Sequence, residues 1–421
     1  MDSTPHVAVV GGGVTGTGIA RDLAMRGLDV TLFEAGPLTS GATGRMHALL
    51  HSGARYAVTD ADGARQCIAE NRVLRGIAGH CISPTGGLFV QREDEDEAYF
   101  ERKLAACEAC DIPVEELSAE TLQTIEPALA DDVVRGLRVP DATVDPFALT
   151  AANATAAHDH GARIETHTEV TGIVVEDGRV RGVELGSERT ARSVDYLVNA
   201  TGAWAGRVAG LAGLDVPLRL SRGAMSVVAD RPVERVINRC RPRDEGDIVV
   251  PFGSHAILGA TDREVADPDP GREEGESDRL LAELAPVVPA LADAEPVGTY
   301  WGVRPLYSPD AGKDETSSVT RDFVVLDHGA RDDLAGMATV LGGKLTTYRL
   351  MAERTGDLVC EVVGIDRPSR TAETPLPDPS GRDEPTATTF DLSVPRSLSV
   401  ARTATTGSDP GTMDETAPDS I

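Results

Sequence analysis

The chain has 421 residues, of which 41% are hydrophobic, and its 68 acidic and 40 basic residues give a formal net charge of −28. This length accommodates two domains with cores of their own, and no apolar run is long enough for a membrane-spanning helix. Such a negative charge argues against nucleic acid as a partner. We expect a cytoplasmic protein without a signal peptide, which reaches the inner face of a membrane only through partners.

The kind of basic residue is as informative as the net charge. The chain has three lysines, Lys103, Lys313 and Lys344, and its other basic residues are arginines. An excess of Asp and Glu keeps a protein hydrated in molar salt, where the Debye length falls to about 3 Å. A GC-rich gene would explain the loss of lysine but explains the excess of acid less well. The composition indicates a halophilic source.

The N-terminal residues carry the most specific motif. An apolar run at residues 7–10 predicts a strand, and it is followed by Gly11, Gly13 and Gly16. The first glycine permits a tight turn, the second lets the backbone approach a pyrophosphate, and the third allows close packing of a helix on the strand. Glu34 ends the next predicted strand, where a carboxylate accepts a ribose hydroxyl. These residues predict a dinucleotide site.

The elements that follow are predicted from turn residues and helix caps. The loop at residues 39–44 contains small side chains, which favours a position close to the ligand, with Thr43 as a contact. Residues 61–79 predict a helix. A second helix is predicted from Asp145, as N-cap before a proline, to the closing Gly161.

The six cysteines are dispersed, which argues against a disulfide framework in a cytoplasmic chain. Cys107 and Cys110 form a CxxC in a predicted surface helix, and no second pair follows within the range of a metal finger. A redox or metal role for the pair stays open. The simpler interpretation is two half-buried side chains one helical turn apart, and no metal site is expected.

A meander and a further strand complete the first domain. Strands are predicted at residues 162–167, 168–176 and 179–185, with Asp177-Gly178 as a two-residue hairpin turn. The strand at 195–202 ends in Ala-Thr-Gly, which resembles the second FAD signature of flavoproteins with two dinucleotide domains, and places Gly202 next to the cofactor. Together with a motif so near the N-terminus, this segment favours FAD over NAD.

The pattern predicts an α/β fold, in which a FAD-binding Rossmann-like domain is interleaved with a β-rich α+β substrate domain. Returning strands are predicted at 324–327 and 337–341, and a last helix at about 344–363. Ser277 is the expected cap of a helix in the substrate domain. Four units are expected: the FAD-binding domain (1–93, 145–216 and 325–365), a helical excursion (94–144), the substrate or cap domain (217–324) and a disordered tail (366–421).

Five segments together resemble the FAD-dependent glycerol-3-phosphate dehydrogenases of the amino-acid-oxidase-like flavoprotein group, most closely the catalytic A subunits of the anaerobic enzymes. The resemblance covers about residues 5–365. Two of the segments, 9–16 and 199–204, fit many flavoproteins. The other three point to this family, and they are residues 50–56 (Leu-His-Ser-Gly-Ala-Arg-Tyr), 301–306 (Trp-Gly-Val-Arg-Pro-Leu) and 342–349 (Gly-Gly-Lys-Leu-Thr-Thr-Tyr-Arg).

The resemblance implies oxidation of sn-glycerol 3-phosphate to dihydroxyacetone phosphate, with electrons passing through partner subunits to a membrane quinone pool. A protein of charge −28 repels a phosphate dianion unless several cations converge on one pocket. The resemblance places Arg55, Tyr56 and Lys344 around the phosphate and Arg304 at the alkoxide. Arg349 is a further candidate substrate contact.

Two histidines are candidates for the proton acceptor. By resemblance His51 is the general base or its polarising partner, and His255 is the second candidate. The family layout also implies that Gly342 and Gly343, at the start of the last helix, aim backbone N–H groups at the flavin.

The resembled A subunits continue into a cysteine-bearing module with an iron-sulfur cluster, whereas no cysteine follows Cys360 here. The route by which electrons leave is therefore open. Two other interpretations also stay open. One is an oxidase of amino acids such as glycine or sarcosine, which needs one arginine for a carboxylate. The other is a non-catalytic or truncated FAD-binding protein of a larger assembly.

Overall fold

The computed structural model describes residues 4–242, 246–309, 322–378, 390–395 and 398. None of the helices in these ranges is long and apolar enough to cross a bilayer. The helices are α1 (Val14–Met25), α2 (Ala61–Ile77), α3 (Glu97–Ala109), α4 (Ala119–Ile125), α5 (Pro146–Asp159), α6 (Ala205–Gly210), α7 (Glu276–Leu284), α8 (His328–Asp332) and α9 (Tyr348–Val363). The strands are β1 (His6–Val10), β2 (Asp29–Phe33), β3 (Leu49–Leu50), β4 (Ile82–Ser83), β5 (Gly87–Arg92), β6 (Glu115–Ser118), β7 (Val133–Val139), β8 (Ala142–Val144), β9 (Arg163–Glu165), β10 (Val170–Glu176), β11 (Arg179–Leu185), β12 (Thr190–Ser193), β13 (Tyr196–Asn199), β14 (Leu218–Val228), β15 (Val236–Arg239), β16 (Ile248–Phe252), β17 (His255–Gly259), β18 (Arg263–Val265), β19 (Pro296–Tyr307), β20 (Phe323–Asp327) and β21 (Met337–Gly342).

A six-stranded sheet of order β20-β21-β13-β1-β2-β9 carries the N-terminal motif. β1 lies parallel to both of its neighbours, with Val9 opposite Val198 and Leu32. Apolar side chains of α1, α5 and α9 pack on one face of this sheet. The other face packs against the small sheet β10-β11-β12 and against α6. The central strands are apolar on both sides because both faces are covered.

The second large sheet has the order β18-β14-β17-β16-β15-β5-β7-β6, with β19 paired to β14. It alternates along the chain with the first sheet, so the predicted interleaved α/β architecture is confirmed. α7 begins at Glu276 after Gly275 and is not capped by Ser277. The Ser277 hydroxyl instead hydrogen-bonds to the hydroxyls of Ser226 and Thr299.

The prediction of a helical excursion at residues 94–144 is wrong. This segment contains α3 and α4, but its strands β6 and β7 extend the second sheet. β5 lies within residues 1–93, yet it pairs with β15 and β7 in the same sheet. The edge strand β6 is mostly exposed, so it lacks the apolar run that marks a central strand.

The prediction of a disordered tail is also wrong for residues 366–378 and 390–395. Arg21 Nη2 donates to the carbonyl of Thr374 at 2.5 Å, and the amide of Leu376 donates to the carbonyl of Ile77 at 2.7 Å. Leu392 forms a parallel β-bridge with Leu38. The rest of the predicted tail, residues 379–389, 396–397 and 399–421, lies outside the described residues.

Candidate active site

A cavity of about 1240 Å³ is lined by residues of both large sheets. On one side it follows the turns after β1, β2, β13 and β21, which is the edge where parallel α/β sheets bind their ligands. On the other side it reaches β14 and β19. The volume exceeds the range of about 300–1,000 Å³ for common ligand pockets, so it has room for a dinucleotide together with a small substrate.

The glycines of the N-terminal motif are sterically required. Gly11 has a φ of +114°, and a Cβ at this position would lie 2.6 Å from the carbonyl oxygen of Ala200. A Cβ on Gly16 would lie 1.9 Å from the carbonyl oxygen of Gly11. Gly13 is the N-cap of α1 and lines the cavity. The backbone N–H groups that begin α1 are thereby presented to the cavity, as a pyrophosphate requires.

Glu34 and Thr43 connect this turn to the rest of the cavity wall. One carboxylate oxygen of Glu34 accepts from the amide of Gly12 at 2.6 Å, and the other from the amide of Gly36 at 2.9 Å. The hydroxyl of Thr43 accepts from the amide of Val14 at 3.1 Å. Glu34 and Thr43 both line the cavity, as do the predicted cofactor contacts of the motif apart from Gly16, which packs behind it.

Three further glycines line the cavity at the ends of β13 and β21. Gly202, Gly342 and Gly343 have φ values of +57°, +75° and +73°, in the left-handed region that favours glycine. The last helix, α9, begins only at Tyr348, after one 3-10 turn at Leu345–Thr347. The two glycines therefore precede the helix by a turn and do not start it. With the N-terminal turn, these backbone positions fit FAD.

The loop at residues 51–56 crosses the far end of the cavity, and its backbone is held from four parts of the chain. His51, Arg55 and Tyr56 of this loop line the cavity. The supporting side chains are all buried. The contacts are His51 N–H to Thr346 Oγ1 (3.0 Å), Asn71 Nδ2 to the His51 carbonyl (3.1 Å), Ser52 N–H to Asp141 Oδ1 (2.6 Å) and Lys103 Nζ to the Ala54 carbonyl (2.9 Å).

The side chains of this loop make aromatic contacts with each other. The Tyr56 hydroxyl lies 3.4 Å from His51 Nε2, and the two rings meet edge to face at 5.2 Å between centroids. Lys344 Nζ lies 4.5 Å from the centroid of the Tyr56 ring, within the range of a cation–π interaction. His51, Tyr56 and Lys344 thus form one connected group.

Arg55, Arg304 and Lys344 all line the cavity, and each has a carboxylate nearby. The separations are 3.7 Å from Arg55 Nη2 to Asp247, 3.8 Å from Arg304 Nη1 to Asp262 and 3.9 Å from Lys344 Nζ to Asp60. At these separations each carboxylate offsets part of the positive charge of its cation.

Arg304 is placed by small neighbours. Its guanidinium donates to Ser221 Oγ at 3.1 Å and to the carbonyl of Thr261 at 3.3 Å. It lies directly over Gly223, where a Cβ would come within 2.3 Å of Nη2. The guanidinium plane is therefore fixed before any ligand arrives.

Two of the predicted substrate contacts do not reach the cavity wall. Arg349 is buried in a bidentate pair with Glu70, at 2.6 and 2.8 Å, and also contacts Glu353. Burial opposes its charge, but the hydrogen bonds and charge of Glu70 outweigh burial and raise the pKa of Arg349. His255 opens β17, and its Nδ1 contacts the Ser254 hydroxyl at 2.9 Å.

Three basic residues of the cavity wall, Arg45, His47 and Arg207, were missed from the sequence. Arg45 and His47 follow the loop at residues 39–44, and both line the cavity. Burial lowers the pKa of the Arg45 guanidinium. The His47 and His51 rings meet edge to face at 5.6 Å between centroids. Extending the small-residue loop by three positions would have found Arg45 and His47.

All six cysteines are buried and are free thiols. Burial raises the pKa of Cys107 to about 11 and also raises the pKa of Cys110, which disfavours the reactive thiolate. Within the described ranges, no group of His, Cys, Asp or Glu is arranged to hold a metal ion.

The chain belongs to the FAD dependent oxidoreductase family, whose sequence model matches residues 6–349. FAD as the predicted cofactor is thereby confirmed. Over 393 residues the chain is 55% identical to the A1 subunit of the anaerobic glycerol-3-phosphate dehydrogenase of Haloferax volcanii, a match that covers 90% of this chain and 67% of that protein. That source supports the predicted halophilic origin.

Two other proteins extend the comparison. The chain is 43% identical over 393 residues to the A subunit of the anaerobic glycerol-3-phosphate dehydrogenase of Escherichia coli K12, covering 91% of this chain and 71% of that protein. The FAD-bound structure of L-alpha-glycerophosphate oxidase from Mycoplasma pneumoniae aligns with a TM-score of 0.71 and 20% identity, over 89% of this chain and 100% of that one. At this identity the structure supports the fold alone. The Haloferax and Escherichia A subunits together confirm the resemblance to the anaerobic glycerol-3-phosphate dehydrogenases.

Proposed function

We propose that this chain oxidises sn-glycerol 3-phosphate to dihydroxyacetone phosphate, with FAD as its immediate electron acceptor. The observation that carries this proposal is the gathering of Arg55, Arg304 and Lys344 on the wall of one cavity, in a chain of net charge −28. A phosphorylated alcohol needs such a cluster, whereas a single carboxylate needs one arginine. The names of the two relatives agree with this choice of substrate.

The phosphate is assigned to Arg55 and Lys344. Their side chains are 11% and 6% exposed, so their charges are screened less by water than surface charges are. A guanidinium offers paired donors to phosphate oxygens, and the ammonium adds a compact charge. Tyr56 lies beneath Lys344 and holds the ammonium in place. Asp247 offsets part of the charge of Arg55, and Asp60 offsets part of the charge of Lys344.

The reacting alcohol is assigned to His51 and Arg304. Bound FAD supplies a hydride acceptor. The imidazole of His51 takes the hydroxyl proton, and Tyr56, which meets it edge to face, holds the ring in position. Arg304, held by Ser221 and Thr261, stabilises the negative charge that develops on the substrate oxygen. Arg45 and His47 also line the cavity, and the His47 ring packs against that of His51.

The exit of electrons is assigned to partners. Both relatives are named as A subunits, which supports other subunits as partners of this chain. We propose that electrons pass through them to a quinone pool at the inner face of the membrane.

An anaerobic titration of the purified protein with sn-glycerol 3-phosphate in high salt tests the half-reaction. Loss of the oxidised-flavin absorbance with this substrate, and no loss with glycerol or glycine, is the expected result. Reduction by glycine or sarcosine, with peroxide formed in air, would favour an amino-acid oxidase. A yellow protein that no substrate reduces would favour a non-catalytic FAD-binding protein.

A further inference from the structure

We infer that residues 390–395, here called the C-terminal strap, form part of the FAD site and slow the release of the cofactor. The strap lies 354 residues along the chain from the loop it binds, and Ser393 lines the cavity itself. The inference rests on FAD as the cofactor and is independent of the substrate.

The strap binds the loop at residues 37–44 through both backbone groups of Leu38, its amide and its carbonyl. The amide of Leu38 donates to the carbonyl of Asp391 at 2.9 Å, and the amide of Ser393 donates to the carbonyl of Leu38 at 2.8 Å. The hydroxyl of Thr39 adds a third hydrogen bond, at 3.0 Å, to the carbonyl of Ser393. Leu38 and Leu392 are thereby paired in an isolated parallel β-bridge.

The loop held in this way is the one that carries the cofactor contacts. On its inner side the amide of Thr39 donates to the carbonyl of Gly12 at 3.2 Å. Farther along, Thr43 accepts from the amide of Val14 at the start of α1. Gly44 packs so closely that a Cβ there would lie 2.9 Å from the Ser393 carbonyl oxygen. The loop is therefore clamped between the dinucleotide turn and the strap.

The strap is anchored mainly by apolar packing. Leu392 and Phe390 pack against the core cluster that contains the fully buried Leu38. Leu392 and Val394 also pack against the cluster of Phe147. The ion pair of Asp391 with His167, at 3.1 Å, is exposed and contributes little. Because apolar contacts resist salt, the strap should stay in place at the ionic strength that suits this chain.

Release of a cofactor from beneath a clamped loop requires the loop to open, and each contact that must break slows that opening. Removing one hydrogen bond costs about 1 kcal/mol, which corresponds to a change of several-fold in a rate. Loss of the bond between Ser393 and Leu38 should therefore speed FAD release several-fold.

The test compares Ser393→Pro, which removes the N–H donor, with Ser393→Ala, which keeps it, in the full chain. The readout is the rate at which flavin fluorescence rises when FAD leaves the holoprotein in high salt. We expect Ser393→Pro to release FAD several-fold faster, and Ser393→Ala to stay within about twofold of the parent. Leu392→Ala, which keeps the backbone, should also speed release.

Melting temperatures of the apoproteins separate a local effect from loss of the fold. If Ser393→Pro lowers the melting temperature of the apoprotein, the FAD release rate of Leu392→Ala becomes the deciding measurement. Parental release rates in every variant that folds would overturn the inference. FAD release is measured without substrate, so a failure of the proposed substrate would not affect this test and would appear separately in the titration with sn-glycerol 3-phosphate.

Discussion

The two ends of the cavity are built from different kinds of parts. At the dinucleotide end, the backbone and small residues make the wall, and Gly11 and Gly13 come from one short stretch of chain, with Gly16 packed behind them. At the substrate end, long charged side chains make the wall, and Arg55 and Lys344 come from segments far apart in sequence. The dinucleotide end therefore depends on the lack of side chains at its glycines. The substrate end depends on the charged groups of its long side chains.

This difference predicts how each end responds to substitution. Adding a single carbon at the dinucleotide end displaces backbone, so binding and fold fail together. Removing a side chain at the substrate end leaves the backbone in place, so the substrate is lost while FAD stays. Of the four predictions below, Gly16→Ala and Lys344→Ala test this contrast directly, and Arg349→Met and Asp22→Asn provide comparisons outside the cavity.

Gly16→Ala should abolish FAD binding. The new Cβ would lie 1.9 Å from the carbonyl oxygen of Gly11, and backbone cannot move away as a flexible side chain can. We expect a cost above about 4 kcal/mol and a colourless protein. Gly76→Ala is the matched control, because this exposed glycine of α2 has nothing within 4 Å of a Cβ. It should keep its FAD and gain up to about 1 kcal/mol of stability. Equal flavin contents in the two variants would contradict the contrast.

Arg349→Met should lower stability and leave substrate binding intact. The change strands the buried carboxylate of Glu70, which costs about 3–5 kcal/mol. Urea unfolding measures this loss, and the Michaelis constant should stay within about twofold of the parent at temperatures where the variant is folded. The double variant Glu70→Met with Arg349→Met removes both charges and should recover most of the stability. A selective rise in the Michaelis constant would instead return Arg349 to the substrate site.

Lys344→Ala should weaken binding of sn-glycerol 3-phosphate far more than binding of FAD. A desolvated charge pair with a phosphate contributes about 2–3 kcal/mol, which corresponds to roughly a hundredfold in the dissociation constant. Titration of flavin absorbance reports the substrate, and flavin content after gel filtration reports the cofactor. Equal loss of both would remove Lys344 from the phosphate site.

Asp22→Asn tests a titrating group outside the cavity and should have the smallest effect on FAD and on substrate. Burial raises the pKa of Asp22 to about 6. The charge of Arg26, 2.7 Å away, and the hydrogen bond from the Ser369 hydroxyl oppose this rise. Asp357, which also pairs with Arg26, adds to the rise. A raised pKa means that the folded state binds the proton more tightly than the unfolded state does. The contribution of Asp22 is therefore fully present below about pH 4 and is lost as the pH rises through about 6.

The measurement is the free energy of unfolding of the parent and of Asp22→Asn between about pH 4 and pH 7. The parent should gain stability relative to the variant as the pH falls, by at most about 1.4 kcal/mol per pH unit. The FAD content of both proteins should be unchanged at neutral pH. If the free energies of unfolding of the two proteins changed in parallel with pH, the raised pKa of Asp22 would be contradicted.

The parts that could be predicted from the sequence share a local cause. The N-terminal strand, turn and helix are encoded within residues 7–34, and the hairpin at Asp177-Gly178 within two residues. The returning strands β20 and β21 are short apolar runs, so they were also found. In each case the signal needed no knowledge of distant neighbours.

The parts that could not be predicted depend on contacts that are distant in sequence. Lys344 and Arg349 stand in one motif, yet the turn of the helix sends Arg349 to Glu70 and away from the cavity. The segment at 366–378 has few apolar residues, and its order comes from partners such as Arg21. The strand β6 exposes most of its side chains and so resembles a loop in sequence. Composition alone cannot report such partners.

The bridge between Leu38 and Leu392 has a consequence for biosynthesis. A ribosome that adds about 5–20 residues per second needs roughly 20–70 seconds to travel from one partner to the other. During that interval the N-terminal half of the nascent chain has emerged while the outer side of the loop at 37–44 is still open to solvent. The cavity, however, also needs Gly342 and Gly343, which are synthesised only about 50 residues before Leu392. At these rates the complete cavity lacks its strap for only about 3–10 seconds, so entry of FAD must compete with the docking of the strap.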